Sequence, residues 1–99
     1  MAKYILSPKA LNHLQGIWDF IASENREAAD RVVDELSAAF EYLAEWPGSG
    51  HSRPDLTEKD LRFWPVRSYL VVYREKSVPL QIVAIFHGAR DLPSILKNV

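Results

Sequence analysis

Five consecutive residues near the C-terminus, His87-Gly88-Ala89-Arg90-Asp91, combine side chains that binding and catalytic sites use. His87 carries an imidazole, the side chain most used to take or give a proton in catalysis. Arg90 presents a planar donor fork suited to a phosphate or a carboxylate, and Arg62, Arg67 and Arg74 could add three more. Tyr73 offers a phenol that can donate a proton or stack on a flat ring. Glu58 and Asp60 could supply a second carboxylate if their loop approaches the others.

Each candidate also has a plainer use. A histidine at a strand end is more often a hydrogen-bonding residue than a catalyst. Arg90 and Asp91 can pair with each other or cap a terminal turn. Tyr69 and Tyr73 fall on one face of a strand with Val71 between them, which makes them packing residues first. Arg62 and Arg74 read most simply as solvated residues of half-buried strands. Trp18 and Phe40 fit a helix–sheet core, whereas Trp46 and Trp64 stand at element ends, as core caps or contact residues.

Two chemistries find no support in the spacing. His13, His51 and His87 fall on a helix, a loop and a strand end without the i, i+4 spacing of helical metal ligands, so no metal is assigned. Gly48 and Gly50 do not form a phosphate loop, because no strand precedes them and no Lys-Ser/Thr follows. No cofactor is expected.

The elements that must position these residues can be read along the chain. Lys3–Leu6 is a short strand candidate. Ser7 and Pro8 open a helix as cap and first residue, and Leu11, Leu14, Ile17, Trp18 and Ile21 give it an apolar side. The break at Ser23-Glu24-Asn25-Arg26 leads to a second helix, capped by Asn25, with Glu27 in its first turn and a stripe of Ala29, Val32, Val33, Leu36, Ala39, Phe40 and Leu43. Pro47-Gly48-Ser49-Gly50 stops it. The short link makes the two helices an antiparallel hairpin.

Residues 47–60 read as a loop. Strands are predicted at Leu61–Trp64, where Pro65 marks an edge or bulge, at Tyr69–Arg74, and at Leu80–His87 beyond a turn over Glu75–Pro79. Leu92–Leu96 suggests a short terminal helical turn. The predicted fold is α+β: an N-terminal strand and an antiparallel helical hairpin on one face of a small, mainly antiparallel sheet. The sheet's other face is predicted to be partly open.

Bulk properties fit one soluble domain over residues 1–99. No stretch is apolar for long enough to cross a bilayer, and there is no cysteine, so disulfides and thiolate zinc sites are ruled out. A reducing, cytoplasmic setting is expected. The net charge is −1, unevenly spread: residues 1–52 hold four Lys/Arg against eight Asp/Glu, and residues 53–99 eight against five. The second half is the better face for an acidic partner, but its excess is far below that of a domain that binds nucleic acid by charge.

The order of elements and the residues along it resemble the RelE/ParE superfamily of type II toxin–antitoxin toxins. The resemblance is carried by Ser7-Pro8-Lys9-Ala10, Ile17-Trp18-Asp19-Phe20-Ile21, Ala28-Ala29, and Phe40 through Leu43 and Pro47 to Gly50. It continues in Leu61-Arg62, in Tyr69–Arg74, and in Ile82 through His87 to Asp91. It implies a small cytoplasmic toxin held by a cognate antitoxin in a hetero-oligomer. RelE-like members cut mRNA on the ribosome without a metal; ParE-like members block DNA gyrase by binding.

In the nuclease branch His87 would be acid or base, Arg62, Arg67 and Arg90 phosphate clamps, and Tyr73 a proton donor or stacking platform. Three features tip the resemblance to the ParE side: the slightly acidic charge, Gly88 directly after His87, and a tail without an aromatic residue. A gyrase inhibitor is therefore expected, with Arg67, His87 and Arg90 as target contacts. A ribosome-dependent mRNA endonuclease is the alternative, and an inactive orphan of the same fold a second one.

Overall fold

A computed structural model describes residues 3–88 and residue 96 of the chain. The elements run β1 (Tyr4–Leu6), α1 (Pro8–Ala22), α2 (Arg26–Glu45), a 3-10 turn at Pro47–Ser49, β2 (His51–Ser52), β3 (Arg62–Val66), β4 (Tyr69–Arg74) and β5 (Leu80–His87). The expected α+β layering is present. Segment 47–60 differs from the predicted loop: it contains the 3-10 turn and a two-residue strand that pairs with Arg62 and Phe63. A strand that short leaves no periodicity to read.

Both helices start on side-chain caps. Ser7 Oγ accepts from the Ala10 amide at 3.1 Å, with Pro8 in the first turn, and Asn25 Oδ1 accepts from the Ala28 amide at 3.0 Å. The buried side of α2 is Ala29, Val32, Leu36, Phe40 and Leu43, spaced by three or four residues as a helix on a sheet requires. In α1 only Ala10 is fully buried; Leu14, Ile17 and Ile21 pack partly against the core. Leu11, expected on the apolar side, is 58% exposed.

The sheet order is β1-β5-β4-β3-β2. β1 runs parallel to β5 and the other neighbours are antiparallel. Between β4 and β5, Val72 pairs with Ala84 and Tyr73 with Ile82, leaving Val83 as an extra residue in a bulge. The bulge reverses the alternation. Leu80, Ile82 and Ile85 join the core under the helices, while Val83, Ala84 and Phe86 face the other way. This explains the apolar run of β5 from Ile82 to Phe86, whose two faces are both covered.

The second face is thus not partly open, as predicted, but carries its own core. Leu61, Phe63, Val72, Val83, Ala84, Phe86 and Leu96 are buried together, with Leu56 and Leu70 against them. Leu96 supplies the distant cover, and the carbonyl of Leu96 accepts from Lys59 Nζ at 3.2 Å. The rest of the predicted terminal turn, Leu92–Ile95, lies outside the described residues.

Pro65 sits within β3, opposite Leu70, beyond the two residues that β2 covers. The ring therefore falls where β3 is an edge, where a missing N–H is tolerated. On the opposite side of the sheet β1 ends at Leu6, and α1 takes over the open edge of β5. The Ser7 amide donates to Ile82 O at 2.9 Å, Ser7 Oγ to Val83 O at 3.1 Å, and the Ile85 amide to His13 Nδ1 at 3.2 Å.

Candidate functional site

The register sends the candidate residues to two ends of the sheet. At one end, Val66 and Tyr69 close β3 and β4 around a two-residue turn of Arg67 and Ser68. β5 ends beside it, because Tyr69 pairs with His87 and the Gly88 amide donates to Ser68 O at 2.8 Å. The rings of Tyr69 and His87 meet edge to face, with centroids 5.7 Å apart. Arg67 and His87, twenty positions apart in sequence, therefore share one exposed end of the sheet.

Arg67 is held there in an uncommon way. Its φ of 54° is left-handed, at the first central position of a hairpin turn, where glycine is favoured. Its guanidinium forks onto the Glu35 carboxylate of α2: Nε bonds one oxygen, and Nη2 bonds the other at 2.9 Å. That hydrogen bond holds the Glu35 carboxyl below its ordinary pKa. Glu35 is a partner that sequence reasoning missed. Thirty-two positions separate it from Arg67, and on α2 it looks like any solvated acid.

The opposite end of β4 collects the remaining candidates. Arg62 pairs with Glu75 and donates from Nη1 to Gly50 O at 2.8 Å. It is half-buried and committed to the fold, not the solvated residue expected. Arg74 is similarly tied, through Nε to Gln81 Oε1 at 3.2 Å. Tyr73 is fully buried. Its hydroxyl donates to Pro47 O at 2.6 Å and accepts from the Gly50 amide at 2.9 Å. Burial pushes its phenol above the usual pKa. Tyr73 thus has no face for a base to stack on, and its proton is engaged.

Tyr73 lies four residue steps along β4 from Tyr69, roughly 13 Å at about 3.3 Å per residue. The candidate nuclease set is therefore divided, with His87 and Arg67 at one end and Arg62 and Tyr73 at the other. Glu58 and Asp60 are exposed in the segment before β3, where Asp60 lies 3.8 Å from Lys76. Arg90 lies outside the described residues. Among those described, no group of three or more His, Cys, Asp or Glu side chains is placed to hold a metal ion.

The aromatic residues at element ends resolve differently from one another. Trp64 packs against the core under the helices and stacks on Tyr42 at 5.5 Å. Trp46 closes α2 and remains exposed. Phe40 is in the core. Trp18, expected beside it, is only half-buried, and its Nε1 donates to Asp30 Oδ1 at 2.9 Å.

A family model described as the ParE toxin of the type II toxin–antitoxin system parDE matches residues 4–92. The chain belongs to the ParE toxin family. A protein of Sinorhizobium fredii (strain NBRC 101917 / NGR234), named "Putative toxin Y4kP", is 30% identical over 88 residues, covering 89% of this chain and 90% of its own length. A solved structure of the chromosomal ParDE toxin–antitoxin system from P. aeruginosa matches with a TM-score of 0.69. It is 22% identical and covers 85% of this chain and 92% of its own, a likeness of fold. The chain is thus a type II toxin of the ParE family, with the ParE side of the predicted resemblance supported. Among the described residues, no helix is long and apolar enough to cross a membrane.

Proposed function

We propose that this ParE-family chain acts by binding, not by cutting: it engages DNA gyrase, stalls the gyrase–DNA intermediate, and is neutralised by a cognate antitoxin in the cytoplasm. The observation that carries this reading is the partition of the candidate residues. Arg67 and His87 converge on one exposed sheet end, whereas Arg62 and Tyr73 are bonded into the fold at the other. An exposed arginine and a histidine beside an aromatic ring make a contact patch, since arginine and aromatic residues dominate protein interfaces. Cleavage of RNA would need acid, base and phosphate clamp around one phosphate.

The left-handed Arg67 adds to this. A non-glycine residue in a position that favours glycine suggests that its side chain is needed there. Arg67, His87 and Arg90 are the proposed gyrase contacts. The match to a parDE toxin family supports a partner antitoxin.

Controlled expression of the chain tests the reading. Arrested cells should filament and mount a DNA-damage response with intact messages, and co-expression of the antitoxin should restore growth. Codon-positioned mRNA ends without DNA damage would overturn gyrase binding in favour of cleavage. Unaffected growth would remove the active-toxin reading altogether.

A further inference from the structure

Glu35 does more to Arg67 than neutralise it. The guanidinium donates through Nε and Nη2 to the two carboxylate oxygens, a side-on fork from the β3–β4 turn onto α2. The backbone beneath is fixed as well, with left-handed Arg67 in the short turn between the paired residues Val66 and Tyr69. A long side chain that is 53% exposed is thus held at both its root and its tip. The hydrogen bond from Arg67 does most to keep the carboxyl ionised, and the charge of Arg31, one turn earlier on α2, adds to it.

A guanidinium carries five N–H groups in one plane. Among the described residues, both hydrogen bonds of Arg67 use its Nε–Nη2 edge. The Nη1–Nη2 edge of the same plane is a second fork, of the shape that a carboxylate or a phosphate matches. Clamp and outer ligand can therefore be held at once, on different edges. An arginine that is loose in the free protein must be immobilised on binding, and this one is immobilised beforehand.

We propose that Glu35 is a positioning residue: it presents the outer fork of Arg67, already ordered, to a carboxylate side chain on the surface of gyrase. The proposal rests on the gyrase-binding reading above and adds the residue that orients the contact and the chemical group it meets. DNA phosphate is the poorer partner. The helix that clamps Arg67 belongs to a hairpin, Pro8–Glu45, with Lys9, Arg26 and Arg31 against eight Asp/Glu, a net −5. A DNA backbone laid along it would be repelled, whereas a single carboxylate needs only the one fork.

Affinity for purified gyrase and for a bare DNA duplex, measured by calorimetry beside the Arg67 Nε–H resonance of the full chain, provides the test. That resonance should be sharp and well dispersed in the native chain and should collapse to the free-arginine position in Glu35→Ala. The melting temperature of Glu35→Ala should stay close to native, because exposed ion pairs stabilise little. Its gyrase binding should nonetheless weaken by roughly three- to tenfold, the cost of ordering one long side chain. Arg67→Lys keeps the charge without the fork and should weaken binding at least as much, after which Glu35→Ala should add little. Affinity for the duplex should not follow these substitutions.

Four results would each overturn the proposal while the native chain still binds gyrase. They are an averaged Nε–H resonance in the native chain, unchanged or tighter gyrase binding by Glu35→Ala, additive losses with Arg67→Lys, and losses seen on the duplex alone. A native chain that does not bind gyrase would instead remove the gyrase reading, and this proposal with it.

Discussion

Tyr73 shows how one side chain can be mistaken for chemistry. In sequence it is a phenol among arginines; in the fold its hydroxyl ties Pro47 and Gly50 to the sheet. Tyr73→Phe strands that carbonyl and amide and should cost about 1–3 kcal/mol in urea unfolding. The raised phenol pKa also sets a pH dependence. The folded state keeps the proton after the unfolded chain has begun to lose it, so this stabilisation is complete below the ordinary tyrosine pKa of about 10 and fades as pH rises through the folded value. Unfolding measured against pH should show this alkaline decline in the native chain and a flatter limb in Tyr73→Phe.

Gly50 is the other half of the same contact. A Cβ there would lie 2.4 Å from the Tyr73 hydroxyl oxygen. Gly50→Ala should therefore destabilise by about 1–3 kcal/mol, the usual cost of overpacking. Tyr73→Phe should relieve part of that loss, so a double-mutant cycle should be non-additive. Additive losses would mean that the two residues do not meet as described.

At Arg67 the proposed contact role can be tested apart from stability. Arg67→Gly suits the left-handed backbone and removes only an exposed ion pair. Its melting temperature should match or exceed that of the native chain, while gyrase inhibition falls. Acid should loosen the contact from the other side. The Glu35–Arg67 stabilisation is present above the ordinary carboxylate pKa and is lost as pH falls through the lowered folded value. Glu35→Gln should remove that acid limb from a stability profile.

Among the elements, the start of α1 does two tasks. Ser7 caps the helix and also bonds Val83 O, fastening α1 to the edge of β5. Ser7→Ala should cost about 0.5–2 kcal/mol, the range for loss of an N-cap, with the second bond pushing toward the upper end. Hydrogen exchange should quicken in the first turn of α1 and along β5 together. Faster exchange in α1 alone would mean that the cap and the edge act separately.

The elements were legible to the degree that their signals are local. The stripe from Ala29 to Leu43 announces α2 because helix periodicity repeats within the segment itself. β5 is legible as a strand, but not the Val83 bulge, which depends on register with Val72 and Tyr73. β2 is too short to alternate. The second core was missed because its distant cover, Leu96, comes from a segment that reads only as a short tail. For the candidate site, the exposed strand end at His87 could be read directly. The assembly of Arg67, Glu35 and His87 could not, since three separate elements meet there only after folding.

For the whole molecule, the fold makes one sheet support two surfaces. The helices cover one face of it, and Leu56, Leu61 and Leu96 pack on the other. The strand ends and the outer face of the hairpin remain for partners. The exposed Arg67–His87 end is the proposed gyrase contact. Purified chain assayed for inhibition of gyrase supercoiling, beside Arg67→Gly of equal thermal stability, tests the binding mechanism most directly. The native chain should trap cleaved gyrase–DNA complex and Arg67→Gly should not. Undisturbed supercoiling by the native chain, together with message cleavage on purified ribosomes, would contradict it.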